Sequence, residues 1–169
     1  MSDAPVLLVY ESKRGSAQQA AEWIAEELGI CNLIDLKKDG IPREISRYEA
    51  IIIGTGIMAG KAYPKVRKFI QIHKSTLLAK DLYLFITHLE EGEGVEKDFE
   101  TSFDEDILAH AKQRLGVGGR LRLQKLNFIL RKIMKMLGEK AGRDFTDYDT
   151  LSQEACREFA RSVRGRYYW

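Results

Sequence analysis

The sequence predicts a three-layer α/β protein, a five-stranded parallel sheet covered by helices on both faces. Apolar runs of strand length alternate with stretches of helical periodicity, an alternation that implies right-handed crossovers and a parallel sheet. Ala50-Ile51-Ile52-Ile53-Gly54 is β-branched and uncharged, the pattern of a strand buried on both faces. The apolar run Val6-Leu7-Leu8-Val9-Tyr10 feeds a short polar, glycine-containing turn that opens directly into a helical pattern. Five strands suit the order 2-1-3-4-5. In such a sheet ligands bind beyond the C-terminal strand ends, near the switch point between the first and third strands.

Each element follows from its own spacing. After the first strand, Glu11-Ser12-Lys13-Arg14-Gly15-Ser16 is the turn, and Ala17, Ala20, Ala21, Ile24, Ala25 and Leu28 recur at helical spacing up to Gly29. Ile30 to Leu36 reads as a second strand, and Gly40 with Pro42 as a loop. The third strand, Ala50 to Gly54, is followed by a second glycine-bearing loop, Thr55-Gly56-Ile57-Met58-Ala59-Gly60-Lys61. Pro64 suits a first helical position, and Val66, Phe69, Ile70, His73 and Leu77 continue one face of that helix. Leu82 to Thr87 is a fourth strand, and the acidic loop His88 to Glu96 leads to a helical stripe of Phe99, Phe103, Ile107, Ala111 and Leu115. Gly116 to Leu123 reads as the fifth strand, weakened by its glycines.

One element exceeds that plan. In Gln124 to Leu137, the apolar Leu126, Leu130, Ile133, Met134 and Leu137 alternate with Lys125, Arg131, Lys132 and Lys135, which predicts an additional basic amphipathic helix. It has two readings: its apolar face covers the sheet or a neighbouring helix, or it lies on an anionic membrane surface. The loop Gly138 to Tyr148 and a final helix with Leu151, Ala155, Phe159 and Val163 inward complete the chain, which ends in Arg164, Arg166, Tyr167, Tyr168 and Trp169.

Length and composition narrow the function classes. The 169 residues, 44% hydrophobic and 31% charged, fit a single globular domain over 1–169 without an apolar run of membrane-spanning length. Met1 to Pro5 has neither the basic nor the apolar region of a secretory signal, so a cytoplasmic location is expected. A net charge of +2 is too mild to argue for nucleic acid. Cys31 and Cys156 are far apart and lack ligand spacing, so they read as reduced core thiols, and no metal site is expected.

The turn after the first strand has the chemistry of a phosphate holder. A helix N-terminus offers unpaired N–H groups to an anion; Ser12 and Ser16 add hydroxyls, Gly15 allows close approach, and Lys13 and Arg14 add positive charge. A phosphoacceptor domain needs a carboxylate after the third strand, where Gly54-Thr55 stands. Gly116-Val117-Gly118-Gly119-Arg120-Leu121 lacks the last glycine and the helix of a dinucleotide motif. A mononucleotide with one phosphate and a flat ring fits best, held by the first loop and flanked by the loops beginning at Thr55 and Thr87.

At these residues the chain resembles the flavodoxin-like superfamily, and within it the menaquinone-dependent protoporphyrinogen oxidases and their relatives. The resemblance covers most of the chain. It rests on Val9 to Ala20, on Ile52, Gly54-Thr55-Gly56-Ile57 and Gly60, and on a more specific late group: Gly118-Gly119-Arg120-Leu121, Lys132-Ile133-Met134-Lys135-Met136, Asp144-Phe145-Thr146-Asp147-Tyr148 and Phe159-Ala160. Where flavodoxins favour S/T-x-T-G-x-T, Arg14 and Ala17 stand at two threonine positions, leaving Ser12, Gly15 and Ser16 as matching donors.

The resemblance implies FMN, held by Ser12, Lys13, Arg14, Gly15, Ser16 and Ala17, by Thr55, Gly56, Ile57, Met58, Ala59 and Gly60, and by Thr87, His88 and Leu89. FMN itself carries the electrons, so no catalytic side chain is assigned; His88 could touch the flavin edge or a substrate, and His73 and His110 read as helix residues. The implied activity is an FMN-dependent oxidoreductase passing electrons from an organic donor, a porphyrinogen in the oxidase family, to a quinone. The alternative is a flavodoxin-type carrier with a redox-protein partner, which the mildly basic charge disfavours. Peripheral contact with an anionic membrane at the inner face of the cell membrane and a homodimer complete the partner expectations.

Overall fold

The computed structural model describes residues 4–89, 92–121, 127–142 and 148–167. The chain runs β1 (Val6–Glu11), α1 (Ser16–Leu28), β2 (Asn32–Asp35), β3 (Ala50–Met58), β4 (Lys61–Ala62), α2 (Pro64–Ala79), β5 (Asp81–Thr87), α3 (Glu93–Ser102), α4 (Glu105–His110), β6 (Gln113–Gly116), β7 (Arg120–Leu121), α5 (Phe128–Ala141), β8 (Tyr148–Asp149) and α6 (Gln153–Tyr167). β2, β1, β3, β5 and β6 pair in that order, all parallel. Counted along the chain these are strands 2-1-3-4-5, the predicted architecture.

The strands alternate between two cores. Leu7, Val9, Ile51, Ile53, Leu82 and Leu84 face α2, α3 and α4 through Val66, Phe69, Leu77, Phe99 and Ile107. Val6, Leu8, Tyr10, Ile52, Tyr83 and Phe85 face α1 and α6 through Ala20, Ala21, Ile24, Phe159, Ala160 and Val163. Cys156 lies in this second core, where burial pushes its thiol up to about 12. Cys31 is half-buried, and both cysteines are free. His73 is buried with Nε2 2.7 Å from the Pro42 carbonyl, and His110 places Nε2 at the same distance from that of Lys80. Both histidines tie helices to neighbouring loops.

Several boundaries differ from the sequence reading. β2 is shorter than Ile30 to Leu36, because the Asp35 carboxylate accepts the N–H groups of Lys37 (2.9 Å) and Lys38 (3.3 Å) and turns the chain. The apolar stripe from Phe99 to Leu115 is not one helix. Phe103 is extended (φ −128°, ψ 146°) and ends α3, Asp104 precedes α4, and Leu115 belongs to β6. Phe103 and Ile107 are both buried, so the stripe marks a shared core rather than one helix.

The fifth strand is Gln113–Gly116, not Gly116 to Leu123. At the sheet edge Gln-Arg-Leu-Gly needs no apolar run, which hid it from a hydrophobicity reading. Arg120 and Leu121 pair antiparallel with Asp149 and Tyr148 instead. The additional helix exists as α5, capped at its start by Asn127, whose Oδ1 accepts the Leu130 N–H at 2.8 Å. Its predicted first turn and part of the loop after it, including Leu126 and Asp144 to Asp147, lie outside the described residues. Ile133 and Leu137, expected to cover the fold in the packing reading, are exposed, while Leu130 and Met134 are half-buried.

Candidate functional site

The C-terminal ends of β1, β3 and β5 bring three segments together. After β1, Gly15 adopts a left-handed conformation (φ 94°) that reverses the chain into α1, and Ser12 Oγ accepts the Gly15 N–H at 3.0 Å. Gly15 offers α1 no side-chain cap, and no acidic residue stands in its first turn. The N-terminal N–H groups of α1 therefore meet no carboxylate from their own chain segment. Ser16 Oγ donates to the Arg120 carbonyl at 3.3 Å, linking this loop to β7.

The segment after β3 is a hairpin rather than a loop. β3 runs on to Met58, turns at Ala59 (φ 51°) and Gly60 (φ 74°), and returns as β4. Two successive positive φ values belong to the tight turn that matches strand twist. The turn is held from outside by Thr101, whose hydroxyl donates to the Gly60 carbonyl. The return brings Tyr63 back over Gly56, where a Cβ would lie 2.6 Å from the ring. Thr55 is buried beneath, accepting the Tyr63 N–H at 3.0 Å and donating to the Gly56 carbonyl at 2.7 Å. Burial pushes the Tyr63 hydroxyl upward, with Arg14 opposing and Glu11 reinforcing the shift. Lys13 completes this corner, its Nζ 5.0 Å from the Tyr63 ring centre and 3.4 Å from Met58 Sδ.

After β5, His88 and Leu89 are stitched to the turn that follows β6. The His88 N–H donates to the Gly118 carbonyl (3.0 Å), and the Gly118 N–H donates to His88 Nε2 (3.1 Å). A side chain at Gly119 would run into the His88 carbonyl at 2.3 Å, and one at Gly118 (φ 81°) into the Thr150 carbonyl at 2.0 Å. Both glycines are there for close backbone approach. The Thr150 N–H in turn donates to the Gly119 carbonyl at 2.8 Å.

These segments border an open cleft lined by Ser12, Arg14, Ser16, Ala17, Ile57, Tyr63, Thr87, His88, Leu89, Gly119 and Arg120. Of the residues the sequence singled out, eight form its wall. Lys13 and Met58 lie at the hairpin corner, Gly15 shapes the turn, Thr55 and Gly56 support Tyr63, and Ala59 and Gly60 make the hairpin turn. Tyr63, Gly119 and Arg120 were missed as site residues. The signal for Tyr63 was the Ala59-Gly60 pair, whose turn carries the chain back along β3.

The chain matches the model of the flavodoxin domain over residues 7–149. No curated protein matches it. Among solved structures it is similar to oxidised flavodoxin 2 from Bacillus cereus, with a TM-score of 0.60 and 16% identity over 97% of this chain and 100% of that one. It is similar to an oxidoreductase from Corynebacterium diphtheriae, with a TM-score of 0.58 and 13% identity over 98% of each chain. It is also similar to rubredoxin oxygen:oxidoreductase from Desulfovibrio gigas, with a TM-score of 0.53 and 14% identity over 99% of this chain. There it spans only 38% of the larger protein. At such identities the likeness is one of fold.

Proposed function

The chain belongs to the flavodoxin domain family, and from that premise we propose that it holds FMN in the cleft and works as a quinone-linked oxidoreductase. The observation that carries the cofactor reading is the open N-terminus of α1, uncapped by any side chain, facing a cleft at the switch point between β1 and β3. The residues present fit a phosphate there. Ser12 Oγ accepts from Gly15 and so keeps its own proton to donate, Arg14 adds charge, and the Ser16 hydroxyl, donated to the Arg120 carbonyl, ties the loop to the cleft's far wall.

FMN when bound would supply electron transfer between donor and acceptor. The chain's part is placement. Ile57, Tyr63 and Leu89 give the cleft apolar walls, while Thr87, His88 and the Gly119 backbone give it polar groups. The pinned Gly118-Gly119 turn lets backbone rather than side chains close one wall. No side chain is needed as nucleophile.

The late-chain resemblance to menaquinone-dependent protoporphyrinogen oxidases supports an organic donor of porphyrinogen type and a quinone acceptor. A flavodoxin-type carrier is the competing reading; the +2 net charge would steer it poorly toward the basic partners that acidic carriers meet. Two measurements separate the layers of the proposal. Fluorescence titration should show FMN bound in preference to FAD; absence of FMN affinity would end the cofactor reading. Anaerobic turnover of the flavin-loaded protein with protoporphyrinogen and a menaquinone analogue should be catalytic. Reduction by a ferredoxin system without such turnover would make it a carrier.

A further inference from the structure

α5 stands apart from the rest of the surface. Among the described residues five of its side chains, Phe128, Ile129, Ile133, Met136 and Leu137, are large, apolar and between 42% and 78% exposed. Such a concentration marks an interaction surface rather than scattered exposure. Ile129, Ile133, Met136 and Leu137 follow the spacing i, i+4, i+7, i+8 and therefore form one stripe along the helix. Leu130 and Met134, half-buried, and Gly138, buried, make the side toward the fold. The stripe lies beside that anchored side and points away from the core. Exposed Lys132 borders it, exposed Lys140 continues it at the helix end, and exposed Glu139 and Lys135 lie on the face beyond Lys132.

We propose that α5 is a docking element for an anionic lipid surface. The stripe sinks into the boundary between headgroups and acyl chains, and Lys132 and Lys140 reach the lipid phosphates. With 14 residues the helix is far short of the about 20 needed to span a bilayer, and no helix among the described residues is long and apolar enough to cross one. It lies in the surface plane.

Charge selects this occupant. A second copy of the chain packed stripe to stripe would bring the Lys132 and Lys140 pairs together with only Glu139 beside them as an opposite charge, a contact that disfavours self-association. An anionic bilayer offers a broad apolar layer beneath a sheet of negative charge, which matches both features at once. β7 and β8, bound by the Arg120–Asp149 ion pair (3.0 Å), flank α5 in the chain, and Arg120 lines the cleft. The proposal stands without the flavin reading, because vesicle attachment is measured without FMN.

The test is sedimentation of the full chain with vesicles of phosphatidylglycerol and phosphatidylcholine, against vesicles of phosphatidylcholine alone. Binding to the anionic vesicles at low salt, weakening as salt rises, is expected. The double variant K132Q/K140Q should bind on the order of 30-fold more weakly. I133S/L137S should bind at least about tenfold more weakly. Circular dichroism should show both variants folded, as their changes are on exposed positions. Failure to bind anionic vesicles at low salt overturns the proposal and turns attention to an acidic protein partner. Equal binding to neutral vesicles overturns it too, as does a folded I133S/L137S variant that binds like the parent.

Discussion

Two helices begin at the C-terminal edge of the sheet on its opposite faces, and the chain treats their N-termini in opposite ways. β1 ends on Tyr10 and Glu11, neighbours whose side chains must point to opposite faces. Glu11 falls on the α2 side, where its buried carboxylate accepts the N–H groups of Lys65 (2.8 Å) and Val66 (3.3 Å). Tyr10 falls on the α1 side, and its hydroxyl donates to Asp35 at 3.4 Å, giving α1 no acceptor. One helix receives its anion from the protein; the other opens onto the cleft. Strand parity at a single residue thus decides which N-terminus is left for a ligand.

The sharpest way to break that contrast is to give α1 an anion of its own. Ser16→Asp places a carboxylate in the first turn, where a phosphate is proposed. Two charges about 4 Å apart at an effective dielectric of about 20 interact by about 4 kcal/mol. FMN affinity should fall on the order of a thousandfold. Stability should change by less than about 1 kcal/mol, because the helix-dipole gain offsets the lost hydroxyl donation to the Arg120 carbonyl. A large loss of affinity without a matching loss of stability is the signature, and unchanged FMN affinity in a fluorescence titration would refute an anion site at α1.

The reverse experiment empties the filled N-terminus. Glu11→Ala strands two N–H groups of α2 in a buried place, and urea unfolding should show a loss of about 2 to 4 kcal/mol. Glu11→Gln keeps an acceptor and should lose only about 1 kcal/mol. A Glu11→Ala protein as stable as the parent would mean that water caps α2 equally well, and the contrast between the helices would vanish.

A smaller effect concerns the wall between the two helices. At Gly56 a Cβ would sit 2.6 Å from the Tyr63 ring, and the residue does not need a left-handed backbone. Gly56→Ala should therefore cost about 1 to 3 kcal/mol through overpacking alone. In a Tyr63→Ala background the same change should cost almost nothing. A cost that persists without the ring would place the constraint elsewhere.

Gly56 also shows how far the sequence could be read. It was expected in a loop after the third strand, but it lies within β3 itself. Hydrophobic pattern announces a buried strand, yet β3 continues through Thr55 to Met58 as a hairpin arm, and only pairing with β4 makes Tyr63 its neighbour. The turn into α1 was legible because its defining contact is local: Ser12 accepts the Gly15 N–H within one turn. Gly119 and Arg120 were not, since what brings them to the cleft is a stitch between His88, Gly118 and Thr150 across about 60 residues of chain. Edge strand β6, with no apolar run, was lost for a related reason: its partners lie on one side only.

The smallest expected effect probes the α1 side of the contrast through pH. Burial, with the charge of Asp35 behind it, pushes the Tyr10 hydroxyl up to about 12. A folded-state value above the ordinary one of about 10 means that the fold prefers the protonated phenol. Its stabilising contribution is complete below pH of about 10 and is lost as pH climbs toward 12, about 1.4 kcal/mol having gone by pH 11. Cys156 acts with the same sign from a lower starting point, so the parent protein alone cannot isolate the tyrosine. The difference between the parent and Tyr10→Phe can. At neutral pH Tyr10→Phe should cost less than about 1 kcal/mol, because the lost bond is long and Asp35 keeps the N–H groups of Lys37 and Lys38. Above pH 10 its stability should fall less steeply than the parent's, while FMN affinity at neutral pH stays unchanged. Parallel alkaline slopes would show that Tyr10 ionises freely in the fold, and a lost FMN affinity would show that the α1 N-terminus depends on the residue beneath it after all.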